Sequence, residues 1–201
     1  MPSINRLSGL VICGGESSRM GKDKGLLNYH GRPQRDYMYT MLSTLCDETF
    51  ISCNAEQANA IDKHFKMIID TRGYAGNGPI AGLLSAFNQH ADTNWLVVGC
   101  DYPYITWQVL NDFIKSINEK ETAAAFYNEQ GNVYEPLLAW YSYAAMVELR
   151  NMFAGKEYSL QHFLKKINAG KYFPADHRVI QSIDTIEEYE RVKKELNQQT
   201  N

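Results

Sequence analysis

The sequence predicts an α/β protein with a mostly parallel sheet, helices on both of its faces, and an antiparallel strand in the second half. Short apolar runs of strand length alternate with longer segments that have a helical period. These runs are apolar at nearly every position, which is typical of strands buried on both faces. Two later runs lie too close together for a crossover helix, so they indicate an antiparallel pair.

The first half of the chain predicts a regular alternation of strands and helices. The strand predictions cover residues 7–13, 50–53, 66–70 and 95–100. Apolar residues at the spacing i, i+3, i+4, i+7 predict helices around residues 38–45, 80–87 and 110–117. Pro79 suits the first turn of the second helix, and Thr106 suits the N-cap of the third.

The second half adds strand predictions at residues 122–127, 133–141 and 178–183. Between the first two, the segment NEQGN at 128–132 consists of turn-forming residues, which predicts a hairpin. A helical period marks residues 160–167. Thr185 and Glu188 are spaced as a capping box, so we expect a surface helix to follow them.

Length and composition narrow the class of protein. A chain of 201 residues suits a single domain, 1–201, and a net charge of −3 without a Lys- and Arg-rich run argues against nucleic acid as a partner. No apolar run approaches the roughly 20 residues that a membrane span needs, and the opening residues lack the apolar stretch of a signal peptide. The four cysteines show neither CxxC pairing nor zinc-ligand spacing, which indicates reduced thiols. We therefore expect a cytoplasmic protein that binds no membrane.

Candidate functional residues follow the predicted strands. In an open parallel sheet, ligands bind beyond the carboxyl ends of the strands. The segment GGESSRMGKDK follows the first strand, Asn54 follows the second, Asp70 follows the third, and Asp101 follows the fourth. The glycine-rich segment TRGYAGNGPIAG comes directly after Asp70. These residues predict one ligand site at a single edge of the sheet.

The loop after the first strand predicts a phosphate site of an uncommon kind. A Walker A loop does not fit, because the second glycine comes one residue too late and an aspartate stands where a hydroxyl is needed; the GxGxxG spelling fails as well. Gly14 and Gly15 nevertheless allow backbone N–H groups to face anionic oxygens. Arg19 and Lys24 add charge-assisted hydrogen bonds to the same anion.

Asp101, Asp70 and Gly78 differ in how strongly each one predicts a ligand contact. A carboxylate at Asp101 that faces bound phosphates needs a cation between them, and Mg²⁺ prefers such oxygen ligands. Asp70 fits a ribose contact as well as it fits a turn. Gly78 stands beside a predicted helix start, where it would let a flat base or sugar approach the backbone, or would pack the loop on the sheet.

Four segments resemble the MobA-type molybdenum cofactor guanylyltransferases. The segment LVICGGESSRMGKDKGLL resembles the family's opening motif LAGGxSxRMGxDKxLL, and NGPIAGLLSAF resembles GPLAGxLxA. The segments CDYPYI and YEPLLAWY are similar to CDxPxL and xxPLxALY. The resemblance runs in the same order from residue 7 to about residue 190, and its opening motif separates this family from cytidylyltransferase relatives.

The resemblance implies a fold and a reaction. The fold would be a three-layer α/β/α Rossmann-like nucleotidyltransferase fold, with 1–105 as the GTP-binding half and 106–201 as the molybdopterin-side half with a C-terminal helix. The reaction would transfer GMP from GTP to the phosphate of molybdenum-bearing molybdopterin, with release of pyrophosphate. We expect Mg²⁺ dependence and in-line attack on the α-phosphorus, which need positioning and charge neutralisation rather than a catalytic nucleophile.

The resemblance also implies roles for individual residues. Lys24 would hold the phosphates, Arg19 the leaving pyrophosphate, and Asp101 the GTP through Mg²⁺. The GTP-binding set would consist of Ile12, Cys13, Gly14, Gly15, Lys24, Asn54, Asp70, Gly78 and Asp101. Cys13 stands where alanine is usual, and Ser182 and Asp184 replace two asparagines placed near the pterin side of the family.

The resemblance also implies protein partners, and the sequence leaves alternative functions open. The resemblance implies transient contacts with molybdenum-insertion proteins and molybdoenzyme chaperones. A related nucleotidyltransferase that uses CTP or a sugar 1-phosphate is the nearest alternative. A non-catalytic nucleotide-binding protein is the alternative from another class, and the failed Walker A spacing argues against a P-loop GTPase.

Overall fold

The structure, a computed structural model, describes residues 6–13 and 23–199 of the chain. The strands are β1 Leu7–Ile12, β2 Glu48–Cys53, β3 Met67–Ile69, β4 Asn94–Gly99, β5 Ala123–Asn128, β6 Val133–Tyr141 and β7 Gly170–Tyr172. The α-helices are α1 Gln34–Leu42, α2 Ala55–Ala58, α3 Pro79–Gln89, α4 Trp107–Ser116, α5 Ala145–Ala154, α6 Leu160–Lys166 and α7 Ile186–Gln199. Short 3₁₀ helices occupy Lys24–Leu26 and His177–Ile180.

The strands form one sheet in the order β3-β2-β1-β4-β6-β5-β7. Strand β6 runs antiparallel to both of its neighbours, β4 and β5, whereas every other neighbouring pair is parallel. The predicted mostly parallel sheet with an antiparallel strand in the second half is therefore confirmed. The chain moves outward from β1 to β3 and then returns to the other side of β1, which makes the β1/β4 boundary a topological switch point.

Apolar side chains cover both faces of the sheet. Alternate residues of β1 serve the two sides: Leu10 and Ile12 lie in one core with α3, α5 and α6, and Val11 lies in the other with α1 and α4. Buried apolar residues on both faces explain the uninterrupted hydrophobicity of the parallel strands. The three-layer α/β/α arrangement that the resemblance implies is confirmed.

A third, smaller core joins the end of the chain to the segment after Lys24. Leu27 and Tyr29 pack there against Ile183, Tyr189 and Val192. The hydroxyl of Tyr189 also donates to the backbone oxygen of Asn28 at 3.3 Å. We call this group the tail core. It fixes α7 beside the segment that carries Lys24.

The predicted helix starts are confirmed in their details. Pro79 is in the first turn of α3, and the Thr106 side chain accepts a hydrogen bond from the N–H of Val109 at the start of α4. At the start of α7, the N–H of Glu188 donates to Thr185 at 3.2 Å and the N–H of Thr185 donates to Glu188 at 3.1 Å. This reciprocal pair is the predicted capping box.

The strand predicted at 178–183 is wrong. Asp176 accepts a hydrogen bond from the N–H of Arg178 at 2.9 Å and starts a 3₁₀ turn, so the backbone there does not extend into a ladder. The apolar residues serve two cores instead, with Val179 and Ile180 in one and Ile183 in the tail core. Strand β7, which forms the outer edge of the sheet beside β5, was not predicted. Helices α2 and α5 were not predicted either.

Within the described residues, no helix is both long and apolar enough to cross a membrane.

Candidate active site

The residues predicted after each strand share one edge of the sheet. Cys13 follows β1, Asn54 follows β2, Asp70 follows β3, and Asp101 comes just after β4. Because β1, β2, β3 and β4 are parallel, their carboxyl ends meet on the same side. The predicted residues Gly14, Gly15 and Arg19 lie outside the residues that the structure describes.

Lys24 is positioned by a capped turn. It begins the 3₁₀ helix Lys24–Leu26, and the Asp23 carboxylate accepts a hydrogen bond from the N–H of Gly25 at 2.8 Å. The other oxygen of Asp23 accepts from the side-chain amide of Gln57 at 3.3 Å. The aspartate that breaks the Walker A spelling therefore has a structural function, because it orients the backbone on which Lys24 stands.

The Lys24 ammonium lies between two carboxylates. Its Nζ is 2.5 Å from Oδ1 of Asp184 and 4.0 Å from Oδ2 of Asp101. Only 15% of the Lys24 side chain is exposed, compared with 53% of the Asp184 side chain. The lysine thus links the end of β4 to the segment that precedes α7.

Asp101 has a buried oxygen with an unmet hydrogen-bonding capacity. Oδ1 is inaccessible and has no hydrogen-bond partner among the described residues. Burial raises the pKa of Asp101, the neighbouring Lys24 opposes that rise, and Asp184 adds to it. A Cβ at Gly99 would collide with this oxygen, so the glycine makes room for the carboxylate.

The environment of Asp101 fits a magnesium ligand. A buried carboxylate oxygen without a partner is costly, and a cation relieves that cost. Mg²⁺ prefers oxygen ligands and is held in nucleotide sites by one or two carboxylates together with phosphates and waters. In the part of the chain that the structure describes, no three His, Cys, Asp or Glu side chains form a metal-binding group. Asp101 is the residue that would hold the ion, together with the phosphates of the nucleotide.

Asp70 and Asn54 lie next to each other along the edge but differ in their bonding. Oδ1 of Asp70 is buried without a partner among the described residues, and burial raises the pKa of this carboxyl. Asn54 instead caps α2: its side chain accepts from the N–H of Gln57 at 2.8 Å, and its own N–H donates to the Gln57 side chain at 3.1 Å. Asp70 therefore has an oxygen with unmet hydrogen-bonding capacity, whereas the Asn54 side chain caps α2.

Gly78 and Ile12 border the site with backbone. Gly78 has φ of +70°, a conformation that favours glycine, and it is the N-cap of α3. No described atom lies within 4 Å of the position a Cβ would take there. The backbone oxygen of Ile12 accepts from the N–H of Cys100 at 3.1 Å, which joins the ends of β1 and β4.

Comparison with known proteins decides the family. A family model described as the MobA-like NTP transferase domain matches residues 9–171. The chain belongs to this family. The protein is accordingly a nucleotidyltransferase, and the edge that contains Lys24 and Asp101 lies within the matched part.

Individual relatives agree with the family match. A molybdenum cofactor biosynthesis bifunctional protein from Synechocystis sp. is 31% identical over 178 residues, which cover 89% of this chain but only 46% of that relative. A molybdenum cofactor guanylyltransferase from Ectopseudomonas mendocina is 26% identical over 159 residues, covering 79% of this chain and 77% of that protein. The structure of molybdopterin-guanine dinucleotide biosynthesis protein A from Archaeoglobus fulgidus has a TM-score of 0.75 at 20% identity, with 95% of this chain and 99% of that chain covered. The structural similarity supports the nucleotidyltransferase fold.

This MobA-like chain has a partly buried polar pair next to Asp101 that the sequence did not predict. The Tyr102 hydroxyl donates to Glu135 at 2.8 Å, and burial raises the pKa of Glu135. The register of β6 against β5 shifts here, because Ala125 pairs with Ala139 but Phe126 pairs with Glu135. Such bulges re-aim side chains beside active sites. A proline directly after Glu135 was the available signal, because proline inside a strand often marks a bulge.

The thiols of Cys13 and Cys100 lie close together at the adjacent ends of β1 and β4. The Sγ atoms of Cys13 and Cys100 are 3.3 Å apart, and both side chains are buried and free of disulfides. The hydrogen bond from Cys100 to Cys13, burial and nearby acidic groups raise the pKa of Cys100 well above its usual value. The described cysteines form no disulfide, and a thiol with a raised pKa, such as that of Cys100, is a poor nucleophile.

Proposed function

We propose that this protein transfers GMP from GTP to the terminal phosphate of molybdenum-bearing molybdopterin, forming the guanine dinucleotide cofactor and releasing pyrophosphate. The observation that carries the proposal is the placement of Lys24 and Asp101 together at the switch point of a MobA-like sheet. The names of the relatives from Synechocystis and Ectopseudomonas support the choice of substrates.

The reaction requires charge neutralisation more than acid–base chemistry. An oxygen of the acceptor phosphate attacks the α-phosphorus in line, the new P–O bond forms, and the bond to pyrophosphate breaks with its electron pair. The acceptor is already anionic, so it needs no strong base. Lys24 neutralises negative charge on the triphosphate, while Arg19 and the backbone of Gly14 and Gly15 complete the phosphate site.

Asp101 would hold Mg²⁺, which when bound neutralises phosphate charge and aligns the triphosphate. Its buried, unpartnered oxygen supports this role. Lys24, 4.0 Å away, keeps the carboxylate oriented beside the phosphates. A site with one protein carboxylate suits a metal that arrives together with its nucleotide.

The nucleoside would lie across the ends of β1, β2 and β3. The unpartnered oxygen of Asp70 suits a ribose hydroxyl, which donates a hydrogen bond. The backbone of Ile12 and Cys13 and the open space beside Gly78 would accept the base. Asn54 would contribute beside its capping function.

The wider assignments follow from the same proposal. Residues 1–105 would form the GTP half, and residues 106–201 the molybdopterin half. The buried free cysteines support a reducing, cytoplasmic location. Molybdenum-insertion proteins would supply the acceptor, and chaperones of molybdoenzymes would receive the product.

A substrate comparison tests the proposal. The purified protein is incubated with Mg²⁺ and molybdenum-loaded molybdopterin, together with either GTP or CTP, and both dinucleotide and pyrophosphate are measured. We expect product from GTP and little from CTP. Product mainly from CTP would identify the related cytidylyltransferase activity, and binding of GTP without pyrophosphate release would identify a non-catalytic nucleotide-binding protein.

A further inference from the structure

Asp184 places a negative charge directly beside the Lys24 ammonium. It occupies one of the two positions at which the resemblance implies asparagine, and its Oδ1 lies 2.5 Å from the Lys24 ammonium. An asparagine at this position would accept the same hydrogen bond without carrying charge. The substitution therefore changes the electrostatics of Lys24 more than its geometry.

We propose that Asp184 is a positioning residue that acts as the counter-ion of Lys24, and that the triphosphate must displace it before Lys24 can bind phosphate. The inference rests on the proposed role of Lys24 in holding the triphosphate. Asp184 holds the ammonium beside Asp101 before the nucleotide arrives, and it weakens the nucleotide's affinity because it competes for the same cation.

The carboxylate is held at Lys24 by fixed neighbours. The N–H of Ile183 donates to the backbone oxygen of Asp101 at 2.9 Å, and the N–H of Asp184 donates to Glu188 at 3.0 Å. Leu27 and Ile183 share the tail core, so both partners of the ion pair stand on segments that pack against each other. The fold thus brings Lys24 and Asp184 together through the backbone segments that carry them.

The exposure of the two carboxylates favours displacement of Asp184 rather than Asp101. Half of the Asp184 side chain already contacts solvent, so the carboxylate hydrates readily when phosphate takes its place. Asp101 is mostly buried, and its loss from Lys24 would leave a desolvated charge. An incoming phosphate therefore exchanges with Asp184 while Lys24 stays beside Asp101.

Calorimetric titration of the full-length chain tests this exchange. Mg²⁺-bound GTP, CTP and inorganic tripolyphosphate are titrated into the wild type, Asp184→Asn and Asp184→Ala. The matched control is Glu48→Gln, which removes a carboxylate 2.7 Å from Lys66 at the amino end of β2. Circular dichroism establishes that each variant is folded.

We expect Asp184→Asn to bind GTP and tripolyphosphate roughly three- to tenfold more tightly, with the gain shrinking as salt rises. The KM for GTP should fall with little change in kcat, the ratio of GTP to CTP affinity should stay constant, and Glu48→Gln should behave as wild type. Asp184→Ala should show the same direction, because removal of the charge and not of the packing is decisive.

Other results would overturn the inference in distinguishable ways. Unchanged or weaker binding by Asp184→Asn contradicts it, and weaker binding combined with a higher Mg²⁺ requirement would make Asp184 a metal ligand instead. A lower kcat at constant KM would place Asp184 in the chemical step. Absence of dinucleotide product from the wild type, alongside tighter tripolyphosphate binding by Asp184→Asn, would reject the proposed function and leave the counter-ion role intact.

Discussion

Two regions supply charged groups to the site in different ways. Asp70 follows β3 and Asp101 follows β4, so sheet pairing fixes the backbone that leads to each of them. Each of the two carboxylates has a buried oxygen without a described partner. The segment before α7 supplies Asp184 on a loop, where the carboxylate is half exposed and already paired with Lys24. The edge of the sheet therefore holds carboxylate oxygens with unmet hydrogen-bonding capacity, whereas the tail holds a carboxylate that, in our proposal, a ligand must displace.

This difference indicates that two separate parts of the chain control the position of the charged groups and the attraction of Lys24 for phosphate. In the proposed site, the sheet edge would determine where the phosphates and the metal lie, because Asp70 and Asp101 follow paired strands closely. In our proposal, the tail adjusts how strongly Lys24 attracts phosphate, because Asp184 lies on a loop that is anchored by the capping box, by the tail core and by the hydrogen bond from the Ile183 N–H to the Asp101 backbone oxygen. Substitutions at the edge should therefore affect turnover, and substitutions in the tail should affect affinity and stability.

The largest effect is expected for Asp101→Ala. Loss of the carboxylate should lower kcat roughly 10³-fold, because the proposed Mg²⁺ ion loses the side chain that would hold it. Pyrophosphate release at saturating GTP and Mg²⁺ measures the loss, with circular dichroism as the check of folding. The matched control is Asp112→Ala, which removes an exposed carboxylate on α4. Turnover near that of the control would remove Asp101 from the metal site.

Lys24→Ala should lower kcat/KM roughly 10²-fold, with both a higher KM for GTP and a lower kcat. The same kinetic assay also sharpens the comparison between the two regions. In a Lys24→Ala background, Asp184→Asn should no longer tighten GTP binding, because the competing ion pair is already gone. An equal gain in both backgrounds would mean that Asp184 repels phosphate directly and does not act through Lys24.

Ile183→Ala should destabilise the tail core. Ile183 is fully buried, and truncation of such a side chain costs about 2–4 kcal/mol. Urea unfolding measures the change in the free energy of unfolding, and GTP titration measures the loss of order in the Lys24–Asp184 pair. A matched truncation in the main core, Ile51→Ala, should lower stability without this change in GTP affinity. Equal effects on GTP affinity in both variants would contradict the link between the tail core and Lys24.

The smallest effect is expected for Thr185→Ala. The substitution removes one hydrogen bond of the capping box that begins α7, at a cost of about 1 kcal/mol. Thermal unfolding measures the loss of stability. Thr106→Ala removes the corresponding cap of α4 and provides the comparison. A change in kcat for Thr185→Ala alone would show that the tail takes part in the chemical step.

The difference between the two regions also explains what the sequence revealed. Asp70 and Asp101 were predictable because continuous apolar runs identify buried parallel strands, and the residues that follow such strands share an edge. The capping box and the N-cap Thr106 were predictable because each depends on local spacing alone. The capping interactions lie within a few residues along the chain, and the shared edge follows from the parallel order of the strands.

The rest depends on contacts between distant segments. Ile180 and Ile183 look like parts of one strand in the sequence, but they pack into two different cores. The pair of Lys24 and Asp184 joins residues 160 positions apart, and the family resemblance implied only that asparagine is usual at position 184. Glu135 reaches Tyr102 through a shift of register in β6; Pro136 signals a bulge there but does not specify the partner of Glu135.

Because the tail core anchors the segment before α7, a very short stretch of sequence could change the affinity of the proposed site for its nucleotide. Residues 182–185 contact Lys24 and the Asp101 backbone, yet they take no part in strand pairing. A library of variants limited to these positions should therefore retain the sheet while it varies the charge that opposes the nucleotide. Selection on such a library offers a route to enzymes matched to different intracellular nucleotide concentrations.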